Sequence, residues 1–192
     1  MGYGIDSAEW PTGIEVPSPV KQLIERFYQL LDNSDPGIGD LLADEIFADN
    51  GVAYFGATPF SGTEEIRNSR ANAWKVISTR KHEVLKVYLC DKNASDLLFT
   101  ARVAMGLTNG RNVEGEFTGR LVIADPQTAS PKLLLYQVWG NFGYIWYLEE
   151  ELEGDIGKFS YIFMATERIA IVENWTSTLS PIPLIMNELV IK

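Results

Sequence analysis

The side chains best suited to proton transfer in this 192-residue sequence are its only histidine, His82, and the tyrosine Tyr54. Histidine is the side chain whose charge changes near neutral pH, so His82 is the first candidate for a general base. It belongs to the segment RKHEV, at a predicted junction between a helix and a strand, and has the strand parity of Val84 and Lys86. This parity predicts His82 on the polar face of the strand, where the competing interpretation is a surface or interface histidine bonded to a neighbour.

Nucleophilic and metal chemistry have little support in the residue types and their spacing. His82 and the single cysteine, Cys90, lie on one predicted strand about 26 Å apart, at roughly 3.3 Å per residue, which is too far for a cysteine–histidine pair. A structural zinc site needs four cysteine or histidine ligands, and the chain has one of each. Four acidic residues lack the spacing of a calcium loop and are expected on a solvated helix face: Asp40, Asp44, Glu45 and Asp49. We predict no metal and, since no glycine-rich phosphate motif opens a helix, no cofactor.

Charge and composition narrow the classes of partner. The net charge is −10, so the surface repels the phosphate groups of nucleic acids and of anionic membranes. Apolar residues make up 46% of the chain and charged residues 22%, a balance typical of one globular domain. The single cysteine permits no internal disulfide, and neither a long apolar run nor a signal-peptide pattern is present. We therefore expect a cytoplasmic protein that binds neither nucleic acid nor membrane.

The elements that must position His82 and Tyr54 begin with helices. Apolar residues recur at helical spacing after Ser18-Pro19, a typical helix start, and the segment SGTE at 61–64 has the spacing of a capping box. Residues 1–17 precede these elements and form an N-terminal arm, in which Trp10 and Ile14 are expected to dock on the domain. The elements predicted for this half are a helix from Ser18 to about residue 32, a short helix over 38–46, a short strand over 51–55 and a third helix ending at 78–79.

The apolar period then changes from that of a helix to that of a strand. The segment Asn109-Gly110 indicates a hairpin, and a loop of three residues or a glycine bulge at 109–111 pairs Val103 with Phe117 and gives one consistently apolar face. The apolar second face of the last strand, including Leu133 and Leu135, needs cover from a dimer partner or from residues 141–192. The predicted strands cover about residues 80–90, 96–108, 112–125 and 132–140.

In this order the elements resemble the nuclear-transport-factor-2-like superfamily, which includes SnoaL-like polyketide cyclases, ketosteroid isomerase and scytalone dehydratase. The likeness covers about residues 18–140 and points to the small SnoaL-like proteins common in fungi. It implies an α+β fold in which a cone-shaped, curved antiparallel sheet wraps around N-terminal helices. The segments that carry it are VKQLIERFYQLLDN, LLADEIFADNGVAYFG, FSGTEEI, RKHEVLKVYL, GRNVEGEFTGRLVI and KLLLYQVWG.

The resemblance also implies a cofactor-independent isomerase, cyclase or dehydratase of secondary metabolism that acts on an apolar small molecule in an apolar pocket. Phe27 and Phe55 stand where ketosteroid isomerase has its tyrosine and aspartate, and the adjacent Tyr28 and Tyr54 are expected to point elsewhere. One histidine stands in place of the pair in scytalone dehydratase, and the amide of Asn141 in place of a cyclase acid. The residues expected to line the pocket are Phe27, Phe55, Phe60, Trp74, Phe99, Phe117 and Tyr136.

Two functions therefore remain open. The first is the enzyme just described, with His82 and Tyr54 handling the proton, and the second is a non-catalytic ligand-binding or dimerisation module of the same fold. In either case we expect a homodimer. Residues 141–192 extend beyond the resemblance, as a native extension or as an artefact of the gene model.

Overall fold

The computed structural model describes residues 3–56 and 58–140, so the extension predicted at 141–192 lies outside the described residues. Within the described part, three α-helices and one π-helical turn accompany six strands. The helical elements are α1 (Ser18–Leu31), α2 (Ile38–Leu41), the π-turn (Leu42–Ile46) and α3 (Gly62–Asn68). The strands are β1 (Phe47–Tyr54), β2 (Phe60–Ser61), β3 (Ile77–Leu89), β4 (Asp96–Leu107), β5 (Asn112–Ala124) and β6 (Lys132–Gly140).

The six strands form one open, curved sheet in the order β2-β1-β6-β5-β4-β3. The strands from β3 to β6 follow one another as antiparallel neighbours, because each connection between them is short. β1 precedes α3 in the chain and enters the sheet beside β6, with which it runs parallel. The predicted α+β class, a curved sheet with N-terminal helices, is therefore confirmed, with this one parallel pair making the sheet mixed.

The buried stripe of α1 is wide enough to include Tyr28. Val20, Leu23 and Ile24 begin the stripe, and both Phe27 and Tyr28 are fully buried one turn later. A core-facing stripe of this width follows the i, i+3, i+4, i+7, i+8 spacing of a globular-protein helix. The expectation that Tyr28 points away from the interior is therefore wrong.

The third helix is shorter than predicted. α3 ends at Asn68 instead of residues 78–79, because polar side chains at its end bond to the backbone. Asn68 donates to the carbonyl of Glu64 at 2.8 Å, and the Ser69 hydroxyl donates to that of Ile66 at 2.6 Å. Turns then connect the helix to β3.

The β4–β5 hairpin has the predicted loop length in a different register. The Leu107 amide donates to the Arg111 carbonyl at 2.8 Å, which closes a three-residue loop over 108–110, with Gly110 at φ +83°. Phe117 pairs with Ala101 instead of Val103. Because the shift is two residues and side chains alternate with a period of two, the predicted apolar face is unchanged.

The polar face predicted for His82 is a second error. β3 has an irregularity between Val84 and Lys86, so the side-chain parity changes at that point. His82 shares the buried face with Val84, and only 7% of its surface is exposed. The position of Lys86 along the strand therefore does not indicate the face on which His82 lies.

The N-terminal arm lies along the free edge of β3. The Val84 amide donates to the Gly4 carbonyl at 2.8 Å, and the Val87 amide donates to the Glu9 carbonyl at 3.0 Å. These bonds occupy backbone groups that an edge strand would otherwise leave unpaired. Trp10 packs partly buried against the core, as predicted, whereas Ile14 is 39% exposed and does not dock.

Candidate functional site

Asp32 and His82 form a buried pair where the C-terminus of α1 meets the inner face of β3. Asp32 is the residue that follows the last turn of α1, and its carboxylate is inaccessible to solvent. One carboxylate oxygen, Oδ1, lies 2.5 Å from Nδ1 of His82, and the other, Oδ2, accepts the His82 backbone amide at 2.7 Å. Both oxygens therefore fix the position of this one histidine.

The environment of the pair favours a neutral imidazole beside an ionised carboxylate. Burial lowers the pKa of His82, against the opposing effect of its hydrogen bond to Asp32. Burial alone would raise the pKa of Asp32, but the bonds from His82 and the charge of Arg80 together lower it. We assign the ring proton to Nδ1, which faces the carboxylate, so Nε2 keeps a free lone pair and can accept a proton.

Two arginines meet at the same helix end. The side chains of Arg70, in the turn after α3, and Arg80, on β3, both donate to the carbonyl oxygen of Leu31. Nε of Arg80 lies 3.6 Å from Oδ1 of Asp32. Burial, together with the charge of Arg80, lowers the pKa of Arg70 to about 9, so this guanidinium group is charged at neutral pH, and burial also lowers the pKa of Arg80 against the opposing charge of Asp32.

Aromatic rings lie beneath these two charges. The Arg80 guanidinium lies 4.4 Å from the ring centroid of Trp74, and that of Arg70 lies 5.5 Å from the ring centroid of Phe55. Both distances are within the range of cation–π attraction, which is strengthened when the cation is shielded from water. The turn between α3 and β3 is therefore held against the interior by its charged side chains.

Tyr28 and Tyr136 supply two neutral phenols to the same region. The Tyr28 ring centroid lies 5.0 Å from that of His82. Burial raises the pKa of both tyrosines, and each hydroxyl perturbs the pKa of the other. The buried hydroxyl of Tyr28 nevertheless has no partner at hydrogen-bonding geometry.

The aromatic residues predicted to line a pocket converge on these polar groups. Phe27 lies 4.7 Å from Tyr136 between ring centroids, and Phe55 lies 5.5 Å from the same tyrosine. Phe55 also contacts Phe60, at 6.1 Å, and Phe99 contacts Phe117, at 6.0 Å. Trp74 joins the group through Arg80. All seven predicted residues therefore belong to the interior or its border.

An enclosed apolar pocket stays a prediction. Two open clefts of about 200 and 400 Å³ lie among the described residues, and neither is lined by His82 or Asp32. The larger lies beside the π-turn and Lys132, and the smaller lies between Glu116 and Trp139. The rings around His82 are packed against one another.

The other predicted catalytic residue, Tyr54, lies apart from this cluster. Tyr54 is the last residue of β1 and pairs with Gln137, whereas its neighbour Ala53 pairs with the buried Tyr136. Because adjacent residues of a strand face opposite sides, Tyr54 is on the outer face of the sheet. The structure does not bring Tyr54 and His82 together.

Sequence reasoning missed Asp32, Arg70, Arg80 and the inward position of Tyr28. A weak signal was available for two of them, because Tyr28 and Asp32 are four residues apart and so share one side of a helix. No local pattern indicates that the end of α1 meets β3, since these segments are 50 residues apart.

The charged residues of the outer sheet face form cross-strand ion pairs. Arg102 on β4 contacts Glu114 at 3.2 Å and Glu83 at 3.3 Å, and Arg120 on β5 contacts Asp96 at 2.6 Å. Glu116 lies opposite Arg102 in the register. In the part of the chain that the structure describes, no cluster of His, Cys, Asp or Glu could hold a metal ion.

The geometry of the fold is similar to that of several solved structures. One from Jannaschia sp., described as a SnoaL-like polyketide cyclase, is 10% identical with a TM-score of 0.54 and covers 76% of this chain and 99% of its own. A nuclear-transport-factor-2-like protein of unknown function from Burkholderia pseudomallei is 11% identical with a TM-score of 0.52, at 69% and 98% coverage. A superfamily protein from Salmonella enterica is 14% identical, with a TM-score of 0.50 and coverage of 63% and 87%.

The chain therefore has the nuclear-transport-factor-2-like fold, in the form also found in SnoaL-like proteins. No protein-family model and no curated protein matches the sequence. None of the helices that the structure describes has the length and apolar character needed to cross a membrane.

Proposed function

We propose that the protein is a cofactor-independent enzyme of the isomerase, cyclase or dehydratase type, in which His82 is the general base. The observation that carries this proposal is the Asp32–His82 pair, buried among aromatic side chains. A carboxylate that binds Nδ1 holds the imidazole in the tautomer whose Nε2 accepts a proton. A surface histidine would not need both oxygens of a buried carboxylate for its position.

The proposed reaction begins with proton abstraction. Nε2 of His82 takes a proton from a carbon next to a substrate carbonyl, and the electron pair of the C–H bond moves to the carbonyl oxygen. The neutral phenol of Tyr136 supplies a hydrogen bond to that oxyanion, and the nearby guanidinium groups supply positive charge. The proton then returns to another carbon in an isomerisation, or leaves with a hydroxyl group in a dehydration.

The test replaces His82 with asparagine in a host that makes the product. The amide of the introduced asparagine can still donate to Asp32 but has no basic nitrogen, so His82→Asn is expected to lower product formation by about 100-fold or more. Tyr54→Phe is the matched control, because Tyr54 lies on the outer face of the sheet. An unchanged metabolite profile in a folded His82→Asn protein would remove His82 from the mechanism.

The low pKa of His82 also sets the expected pH dependence. Because the base must be unprotonated, kcat/KM is expected to fall on acidification only below the ordinary histidine value of about 6.5. A profile whose acid limb lies above that value would contradict the proposed environment of His82. The measurement requires the purified enzyme and its identified substrate.

A second candidate function is a non-catalytic binding or dimerisation module. The close packing of rings around His82 favours it, since the cavities found among the described residues lie elsewhere. A native mass spectrum of a dimer without retained ligand, together with a wild-type metabolite profile for His82→Asn, would favour this module over the enzyme.

The remaining assignments are proposals supported by the composition of the chain and by its resemblance to SnoaL-like proteins. We place the protein in the cytoplasm and in secondary metabolism, with an apolar small molecule as its substrate. We also propose a homodimer formed through the outer face of β6, which includes Leu135 but, contrary to the sequence-based expectation, not Leu133, a fully buried core residue. The proposed division of the chain is residues 1–17 as an arm, 18–140 as the domain and 141–192 as an extension. Sedimentation of the full chain as a strict monomer would contradict the dimer.

A further inference from the structure

The interior next to His82 has more positive charge than negative charge. Arg70 and Arg80 both reach the Leu31 carbonyl, and the one carboxylate beside them among the described residues belongs to Asp32. His82 is neutral there, so it adds no charge. A buried charge without a partner is costly, and such clusters are tolerated where a bound ligand completes them.

The polar atoms left without partners in this cluster are all able to donate hydrogen bonds. Among the described residues, Nε of Arg70 and Nε of Arg80 are buried and have no hydrogen-bond partner, and the hydroxyl of Tyr28 interacts with that of Tyr136 without reaching full hydrogen-bonding geometry. Each guanidinium Nε–H can only donate, and a phenol donates readily to an anion. Oδ1 of Asp32, at 3.6 Å, is too far from Nε of Arg80 for a hydrogen bond. The missing group is therefore an acceptor.

We propose that Arg70, Arg80 and Tyr28 bind the carboxylate group of an organic acid with an aromatic or polycyclic body. The inference deepens the proposed function, on which it rests for the location of the site, by naming the class of substrate. A guanidinium group matches the planar geometry of a carboxylate, which can accept two parallel N–H bonds. The carboxylate supplies both the missing negative charge and the missing acceptor.

The aromatic surroundings favour an organic acid over a small inorganic anion. Phe55 lies under Arg70, and Trp74 lies under Arg80. Phe55 in turn contacts Tyr136 at 5.5 Å between ring centroids. A ligand with an apolar body would gain contact with these rings, whereas chloride or phosphate would leave them unused.

The experiment measures the binding of benzoate and benzamide to the full chain by ligand-observed NMR and by calorimetry. The two probes have nearly the same shape but differ in charge. The wild-type protein is expected to bind benzoate at least about tenfold more tightly than benzamide. Equal affinities for the two probes would overturn the proposal.

Two arginine variants locate the site. Arg70→Gln is expected to weaken benzoate binding about tenfold or more, whereas Arg26→Gln, a surface arginine paired with Glu45, is expected to leave it unchanged. Wild-type benzoate affinity in a folded Arg70→Gln protein would overturn the proposal. If Arg70→Gln does not fold, Arg70→Lys, which keeps the charge but loses the planar fork, is compared in its place and is expected to weaken binding by a smaller factor.

A stability measurement separates ligand binding from a structural role. Without ligand, Arg70→Gln is expected to change the melting temperature little, because the loss of the contacts with Leu31 and Phe55 is offset by the removal of a charge in excess. A large decrease, with benzoate affinity lost in parallel, would instead assign Arg70 to the stability of the fold and overturn the proposal.

The His82→Asn variant keeps this inference distinct from the proposed function. It is expected to bind benzoate as the wild type does, since none of the three proposed ligands is changed. Benzoate binding that depends on Arg70, without any activity that depends on His82, would leave the carboxylate site standing and remove the enzyme. Loss of product in His82→Asn, together with equal binding of benzoate and benzamide by the wild type, would support the enzyme and remove the carboxylate site.

Discussion

Arginines at the surface of this protein and arginines next to its interior differ in the number of carboxylate partners that they have. Each of four surface arginines has a carboxylate partner of its own, and two have more than one. Arg70 and Arg80 are half-buried and share one backbone carbonyl, and the Asp32 carboxylate lies 3.6 Å from Arg80, in a position where the need for compensation is greater than at the surface. The surface pairs are Arg26 with Glu45, Arg67 with Asp40 and Asp44, Arg102 with Glu83 and Glu114, and Arg120 with Asp96.

The difference is not explained by a shortage of acids. The chain has 26 acidic residues and 16 basic ones, so its composition does not limit the number of acids that could pair with these arginines. The acidic surface and the positively charged region next to His82 therefore have different roles. The surface charges repel polyanions, and the interior arginines have, among the described residues, the single carboxylate of Asp32 beside them.

The largest change in stability is expected when the interior carboxylate, that of Asp32, is removed. Asp32→Ala leaves the Nδ1–H and the backbone N–H of His82 without their acceptor and removes the carboxylate that lies 3.6 Å from Arg80, so we expect it to lower the free energy of unfolding by about 3–5 kcal/mol. Urea denaturation near neutral pH measures this change. A loss below about 1 kcal/mol would mean that the interior charges are compensated by water.

A second pair of variants compares packing at two positions on the same strand. A Cβ atom at Gly119 would overlap the ring of Phe99, whereas a Cβ atom at Gly115 would meet nothing within 4 Å. We expect Gly119→Ala to destabilise the protein by about 1–3 kcal/mol and Gly115→Ala to change its stability little. Similar losses for both would indicate a backbone effect of glycine instead of contact with Phe99.

Acidification is expected to weaken the buried pair of Asp32 and His82. The pKa values of Asp32 and His82 are both lowered by folding, so the unfolded chain binds more protons as the pH falls. Stability should therefore decrease below about pH 6.5 through His82, and further below about pH 4 through Asp32. Denaturation at a series of pH values measures this, and His82→Asn should remove the first decrease and keep the second.

The smallest effect is expected at a surface pair. Arg26 and Glu45 are 2.9 Å apart but half exposed, so solvent screens their attraction. We expect Arg26→Ala to cost about 0.5 kcal/mol or less, and added salt to reduce that cost further. A loss as large as that of Asp32→Ala would mean that exposure does not separate the two classes of arginine.

The sheet was the part of the fold most accessible to sequence reasoning. The ends of β3 to β6 and the inward position of Phe99 and Phe117 follow from a period of two and from turn residues, which are local signals. The loop length of the hairpin was also predictable, and its two-residue shift left the faces unchanged.

The candidate site was much less accessible. His82 was selected because it is the only histidine, but its inward position depends on an irregularity between Val84 and Lys86 that no residue type marks. Its partner Asp32 was interpreted only as the end of a helix. Arg70 was placed within a helix, whereas the structure has a turn there. These contacts join segments far apart in sequence, where local propensity carries no information.

The docked N-terminal arm offers a way to observe the buried carboxylate without a substrate. The Tyr3 hydroxyl donates to Oδ2 of Asp32 at 3.2 Å, while the amides of Val84 and Val87 donate to arm carbonyls. Deuterium uptake at these two amides therefore reports how often the arm leaves the sheet edge, because only the arm protects them. The same opening frees Asp32 from Tyr3. The exchange rate of these two β3 amides therefore measures how often solvent gains access to the Asp32–His82 pair.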